Sequence, residues 1–339
     1  MVRDNLDTKS NPFYLEADRA LFIARRNGKP VGRIAAIENR AHNRFHDDRV
    51  GFFGFFESIN DPDVARELFS AAEKWLRARG LTVVRGPMNP STNYDCGTLI
   101  DGFHEHPVFL TSWNPPYYDA LIRDAGFCTA KDLVGYWLPF GAEGRAIVER
   151  LEPTARRAAE KARLTFRDMN PKQYWDDVEQ AWVVYNSAWE HNWGFIPMSH
   201  PEFLHMAKSM RPLLDPRFAF LAEIDGEPAG FMLNLFDYNL IFRQIRNGRL
   251  LPTGFLKLIL GKGRLRTGRG MALGIKEKFR TRSILPVFMY EVTRRALAIG
   301  SPGAEASWML EDNDAIRRPM ERLGGRVYRR WRIYDRPIG

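Results

Sequence analysis

The stretch GIKEKFRTRSI, Gly274 to Ile284, joins an apolar run ending at Ile275 to a second run with helical spacing, Ile284, Leu285, Phe288, Met289, Val292 and Ala296. Strand, cationic turn and helix in that order make an anion site. A helix start leaves about four N–H groups unpaired and carries roughly half a positive charge, so a phosphate or pyrophosphate binds there. Arg280 and Arg282 add bidentate donors, and Thr281 and Ser283 lie between and after them. Ser283 is placed to cap the helix, and Pro286 falls in the first turn, where its missing N–H matters little. A solvated basic turn without a ligand explains the same residues, and this stretch alone does not choose between them.

Outward from the turn, the pattern predicts a strand at 271–275 and a helix at 284–299. A strand at 304–310, a helix at 315–323 closed by Gly324-Gly325, and a final strand at 327–334 follow. Upstream, 218–224 and 228–235 flank Asp225-Gly226 as a hairpin, after a strand at 164–167 and a helix at 173–190 rich in Trp and Tyr. The first half runs in the same order. A hairpin turns at Asn27-Gly28-Lys29-Pro30, and VGFFGFFE at 50–57 is a strand. A helix capped by Asp61 with Pro62 at its first position ends at Gly80. The strand at 81–84 then makes a parallel crossover with the one before the helix. Residues 88–111 read as a long loop, and a second helix runs from Pro115 or Pro116 to Ala125. The expected fold class is α/β with a mixed sheet, in two domains in tandem. These are 1–140 and 164–339, joined by a charged helical connector at 141–163.

The chain has 339 residues, 50 Lys and Arg against 41 Asp and Glu, and two cysteines, Cys96 and Cys128. That length suits two domains. Two cysteines without partners at ligand spacing predict no structural zinc or disulfide framework and fit a reducing compartment. Arg3, Asp4, Asp7 and Lys9 leave no apolar secretory region at the start, and no run has the ~18 apolar residues of a spanning helix. The expectation is a cytoplasmic protein, free or on the inner membrane surface. The net charge of +9 is local: between Tyr238 and Lys276 there are nine basic residues and no acidic one. Within it, LLPTGFLKLIL (250–260) is apolar and flanked by Arg and Lys, so the basic insertion at 238–270 is expected to lie against an anionic membrane surface. A loop packed on its own domain is the plainer alternative. No aromatic stacking platform is interleaved with the charge, so nucleic acid is not an expected partner.

Arg280, Thr281, Arg282 and Ser283, together with Asn313 opening a helix closed by Gly324-Gly325, resemble the GNAT superfamily of acyl-CoA N-acyltransferases. The first half carries a similar end in Asn114 through Gly126-Phe127. The resemblance implies two GNAT-like domains in tandem, with acyl-CoA as co-substrate and no permanently bound cofactor. Thr281 and Ser283 stand where the family has glycines, which keeps the N–H cradle only if φ stays negative there. At Glu57-Ser58-Ile59-Asn60-Asp61 the first domain has acids and no base, so it is expected to have lost CoA and to serve as an acceptor-side wall. More narrowly, GPMNPSTNYDCG (86–97), NSAWEHNWGFIP (186–197) and the stretch 308–334 resemble a group of tandem-GNAT bacterial proteins that includes the bacterial ceramide synthases. That implies fatty acyl transfer from CoA to a lipid amine acceptor, a sphingoid base.

An amine of pKa near 10 is mostly ammonium at neutral pH and needs a proton acceptor, and the thioester carbonyl needs donors. The resemblance assigns those donors to backbone N–H groups near Gly274 and Ile275. Glu311, at a strand end beside Asn313, is the first candidate base, with Glu190 and His191 of WEHNWGF second. Tyr328 or Tyr334 is the candidate donor to the leaving thiolate. For each, a salt bridge, cap or core role is the alternative. Trp189, Trp193 and Phe195 form either core or an apolar acceptor wall. His42 and His46, four apart, lack a third ligand and read as a polar surface pair, and His104-Glu105-His106 is equally weak as a metal site. Two other readings stay open: a small or peptidic amine acetylated from short acyl-CoA, and a non-catalytic tandem that binds membrane or nucleic acid through 238–276.

Overall fold

The computed structural model describes residues 2–161, 163–190, 192–245, 248–249 and 254–339. Asn27 and Gly28 both take positive φ, 52° and 77°. They turn β1 (Ala17–Arg26) back on β2 (Lys29–Asn39) after a short helix α1 (Val2–Asn5). α2 (Arg40–His46), β3 (Val50–Ser58), α3 (Pro62–Arg77) and β4 (Val83–Gly86) follow. Asp61 caps α3 by accepting from the N–H groups of Asp63 and Val64, as its position predicts. The expected long loop holds three short strands, β5 (Met88–Asn89), β6 (Asp95–Cys96) and β7 (Thr98–Asp101), before α4 (Tyr118–Asp124).

The next element, β8 (Cys128–Pro139), is a strand the sequence reading passed over. Its Leu133, Val134 and Tyr136 are buried. A strand covered on both faces shows no alternation to read.

α5 (Ala142–Lys161) buries Ile147, Ala155 and Ala158 against α10, in one core with Phe288. The expected connector is therefore part of the packed body. The second half runs β9 (Leu164–Asp168), α6 (Tyr174–Ala188), α7 (His200–Met210), β10 (Ala219–Ile224) and β11 (Glu227–Phe236). It continues with α8 (Asn239–Phe242), α9 (Phe255–Lys262), β12 (Gly268–Ile275), α10 (Ile284–Ala298), β13 (Gly303–Leu310), α11 (Asp314–Arg322) and β14 (Arg326–Pro337).

The internal repeat survives in the order of elements but not as two sheets. One twelve-stranded sheet runs β1-β2-β3-β4-β14-β8-β13-β12-β11-β10-β9, with β7 added on β14. Each repeat's closing strand is exchanged: β14 pairs with β4 of the first repeat, and β8 pairs with β13 of the second. β14 and β8 also pair with each other, where Arg332 holds Asp132 through two bonds of 2.7 and 2.6 Å. Boundaries at 140 and 164 therefore divide the sequence without dividing the fold. The two parallel pairings, β3 with β4 and β12 with β13, bracket α3 and α10 as equivalent crossovers.

Candidate functional site

β12 and β13 pair only at Arg269–Glu305 and Gly270–Ala306, then diverge. The β13 edge is further displaced by an irregularity between Ala306 and Met309. On its other side β12 keeps an unbroken register with β11 from Ala272 to Ile275, and the Lys276 N–H bonds the Ala229 carbonyl. Antiparallel alternation then turns the Gly274 N–H into that ladder and the Leu273 and Ile275 N–H groups toward the open side. This corrects the expectation that Gly274 polarises a carbonyl. Gly274 is small because a Cβ there would lie 2.9 Å from Phe231 and 3.2 Å from Ala188.

A cavity of about 1410 Å³ enters this gap. On one face of the sheet it is walled by Leu285, Met289 and Val292 of α10, on the other by Tyr185, Phe203 and Trp189. The β12 wall is Arg269 to Leu273, so Gly274 and Ile275 lie beyond it. Its size exceeds the roughly 300–1,000 Å³ of ordinary small-ligand pockets, and its walls are largely apolar.

Arg280 and Asn313 both line the cavity, from opposite strands' ends. Arg280 also donates to the Ala188 carbonyl at 2.7 Å, which fixes its guanidinium at the end of α6. Asn313 starts α11 without a side-chain cap bond, leaving its amide facing the cavity. Thr281, Arg282 and Ser283 are exposed beside Arg280, outside the wall. Ser283 does not cap α10: it makes no cap hydrogen bond and sits at φ 58°. A serine holds the left-handed conformation that glycine takes freely, so the condition of negative φ fails there while the turn keeps a glycine-like shape.

At the deep end, Glu305 is fully buried under Ser307, Tyr328 and Arg329. Arg329 reaches it at 3.0 Å, and Arg269 bonds the Ser307 hydroxyl at 3.0 Å. Burial and the Glu305 charge push the Tyr328 phenol far up. Tyr328 is therefore committed to Glu305 and lies outside the cavity wall, which leaves it no path to a thiolate. The Tyr334 hydroxyl is likewise held by Asp119, and its ring is fully buried. Glu311 pairs with Arg330 and does not reach the cavity, so its expected role as base has no access. Glu190 is exposed at the end of α6 and is not a wall residue. His191 lies outside the described residues.

Two wall residues escaped the sequence reading. Asp95, on β6, faces the cavity near Arg269; burial raises its carboxyl pKa, and Arg269 opposes the rise. Trp308 lines the same end, and its buried indole N–H has no partner. A usable signal existed for Asp95: it is the only charged residue between Arg85 and Asp101. Trp193 and Phe195 join the wall, and the loop at 92–93 docks on their segment through Thr92 to Gly194 (2.6 Å) and Asn93 to Ile196 (3.3 Å).

The first repeat's equivalent gap is narrowed by its own side chains, although Phe55, Phe56, Glu57 and Tyr118 still line the cavity. Asn89 accepts from the Phe55 N–H at 2.6 Å, and a Cβ on Gly54 would overlap the Met88 carbonyl. At the helix start, Tyr117 bonds the Ser58 carbonyl and Tyr118 bonds Glu57 at 2.8 Å. The nearby cations there are paired with acids: Arg33 lies 3.6 Å from Glu57, and Arg26 pairs with the cap Asp61 at 2.7 Å.

His42 and His46 are not a surface pair. His42 is buried, its pKa pushed down to about 3 by burial, and His46 bonds the Phe195 carbonyl at 2.8 Å. Among the described residues no group of three or more ligands gathers for a metal. No helix among them is long and apolar enough to cross a membrane. In the basic insertion, α9 packs Leu258 against Ile241 and exposes Phe255, Leu256, Ile259 and Leu260. Residues 250–253 of the apolar run lie outside the described residues.

A bacterial ceramide synthase of Caulobacter vibrioides (strain NA1000 / CB15N) is 34% identical to this chain over 342 residues, spanning 99% of this chain and 88% of the relative. Protein YghO of Escherichia coli (strain K12) is 30% identical over 328 residues, 94% of this chain and 82% of that protein. Among solved structures, a tandem GNAT protein from the clavulanic acid biosynthesis pathway superposes with a TM-score of 0.54 at 12% identity, covering 97% of this chain and 85% of the other. A GCN5-related N-acetyltransferase from Sphaerobacter thermophilus gives 0.51 at 14% identity, covering 95% and 81%. At those identities the structural likeness is one of fold. No family model matches the chain.

Proposed function

The chain belongs to the family of the bacterial ceramide synthase, tandem GNAT-fold N-acyltransferases, and on that premise we propose that it transfers a long acyl group from acyl-CoA to the primary amine of a sphingoid base. The observation that carries this reading is the cavity itself, which runs from Arg280, through the gap between β12 and β13, into the aromatic chamber of α6 and α7.

The CoA diphosphate binds at the turn of Arg280 to Ser283, and Asn313 meets the arm that follows. From Ile275 to Gly270 the splayed edge spans about 16 Å, comparable to an extended pantetheine arm. The arm bonds the free N–H groups of Leu273 and Ile275, and the thioester lies where the strands rejoin, near Gly270 and Ser307. There the amine attacks directly, with no covalent enzyme intermediate. The apolar walls at Tyr185, Trp189 and Phe203 take hydrocarbon, for which a cavity of this size has room and an acetyl donor has no need. The first repeat binds no CoA and supplies the acceptor-side wall through 92–97.

α9 lies against an anionic membrane surface: four apolar side chains face outward, flanked by Lys257, Lys262 and Arg264. Its inner face belongs to the same apolar cluster as Phe109 and Phe242, which line the cavity, so a lipid amine has a short apolar route inward. The test is mass spectrometry of the product formed by purified protein from a long-chain acyl-CoA and a sphingoid base. An N-acylated base is expected. Acylation of a small polyamine or peptide from acetyl-CoA, with none of the lipid, would reject the assignment.

A further inference from the structure

We propose that Asp95, carried by the first repeat, is the general base for the amine that reacts in the second repeat's gap. This rests on the N-acyltransferase reading above and names the residue that completes its site.

Four carboxylates line the cavity: Asp4, Glu57, Asp95 and Glu305. Asp4 is engaged by His205 at 3.1 Å. Glu57 accepts from Tyr118 and faces Arg33 at 3.6 Å, at the first-repeat end of the cavity. Glu305 receives Ser307, Tyr328 and Arg329 together, so its lone pairs are taken. Asp95 alone has a carboxylate with no hydrogen bond or ion pair among the described residues, and it faces the point where β12 and β13 part, beside Arg269. The carboxylate is half-buried in the cavity wall, so its lone pairs are open to a ligand there.

The fold holds Asp95 there firmly. The β5–β6 ladder sets Asn89 opposite Asp95, and Asn89 is itself bonded to Phe55, so the strand pair that carries Asp95 is anchored on β3. The groups around Asp95 are Arg269 on β12 and its neighbour Cys96, with Glu305, Tyr328 and Arg329 behind Arg269. Burial raises the carboxyl pKa, the direction that favours a base, and the Arg269 charge opposes the rise.

The Asp95 carboxylate takes one proton from the ammonium. The freed nitrogen pair forms the C–N bond at the thioester carbon, and the C–S pair leaves on sulfur. The second proton shed by nitrogen neutralises the thiolate, and Asp95 returns its proton to water.

The experiment compares the full-length wild type with Asp95→Asn and Asp95→Glu, measuring acyl-CoA affinity by titration and kcat across pH. For Asp95→Asn the expectation is a loss in kcat of about 10²-fold or more, acyl-CoA affinity within about threefold of wild type, and no acidic limb in the kcat profile. Asp95→Glu should recover part of the rate with a displaced limb. An Asp95→Asn enzyme within about threefold of wild-type kcat, or one that keeps the same limb, overturns the proposal. If Asp95→Asn does not fold, an unmoved limb in Asp95→Glu overturns it instead. A wild type that releases no thiol with any amine overturns the transferase reading and this inference together; an active wild type matched by Asp95→Asn overturns only the inference.

Discussion

The side-chain oxygen of Asn89 sits 2.6 Å from the backbone nitrogen of Phe55, and so occupies a β3 N–H in the gap of the first repeat. The matching gap of the second repeat has no such plug among the described residues, and Leu273, whose N–H faces its open side, lines the cavity. On the proposed reading, two repeats with one order of elements divide the labour: one takes the donor and the other contributes wall.

Asn89→Ala should therefore destabilise without creating a site. Leaving the Phe55 N–H unbonded costs about 1–3 kcal/mol, measurable by chemical denaturation. Acyl-CoA should still bind at one equivalent per chain. A second equivalent would mean that the first repeat is a donor site held shut.

Replacing both Arg280 and Arg282 with Ala should weaken acyl-CoA binding by about 10- to 100-fold, since charge-assisted bonds to phosphate contribute about 1.5–3 kcal/mol each and one of the two already shares its donors with Ala188. Calorimetric titration reads this directly. Melting should change little, because Arg282 is exposed. Unchanged affinity would move the diphosphate elsewhere.

Glu202, buried at the start of α7 with one carboxylate oxygen unpartnered, has its pKa raised to about 7 by burial. A carboxyl with a higher pKa folded than unfolded takes up a proton on folding. Its contribution is therefore favourable at low pH and is lost as pH rises from the usual value near 4.5 through about 7. Glu202→Gln should be more stable than wild type at pH 8, by roughly 1–3 kcal/mol, and should lose that advantage near pH 5. Equal stabilities at both pH values would show that the carboxyl is not buried as described.

Leu256 and Ile259 are 58% and 56% exposed on α9, so changing both to Asp should leave the fold intact. Binding to vesicles containing anionic lipid should fall sharply, with each nearby basic residue worth about 1 kcal/mol at such a surface. Co-sedimentation at low and high salt reads it. Undiminished binding would place the contact on another face.

The sequence was most legible where local chemistry decides the backbone. Asn27-Gly28 and Asp225-Gly226 turn their hairpins with positive φ throughout, and Asp61 caps α3. It was silent on β8 and on the strand exchange, because Asp132 and Arg332 meet from 200 positions apart and nothing in either segment's periodicity names its partner. The site followed the same rule. Arg280 and Asn313 belong to motifs at helix starts and could be read; Glu311 looked equally well placed at a strand end, yet Arg330, facing it across the exchanged strand, holds it. Asp95 and Trp308 acquire meaning only when the first repeat's loop closes over the second repeat's gap.

The central claim, that the gap between β12 and β13 holds a thioester beside an incoming lipid amine, is tested most directly by thiol release from acyl-CoAs of increasing chain length with a sphingoid base present. The account predicts release that depends on the amine and rises from acetyl-CoA to long-chain donors. Release that is absent with the base, or no greater for long chains than for acetyl-CoA, would contradict it.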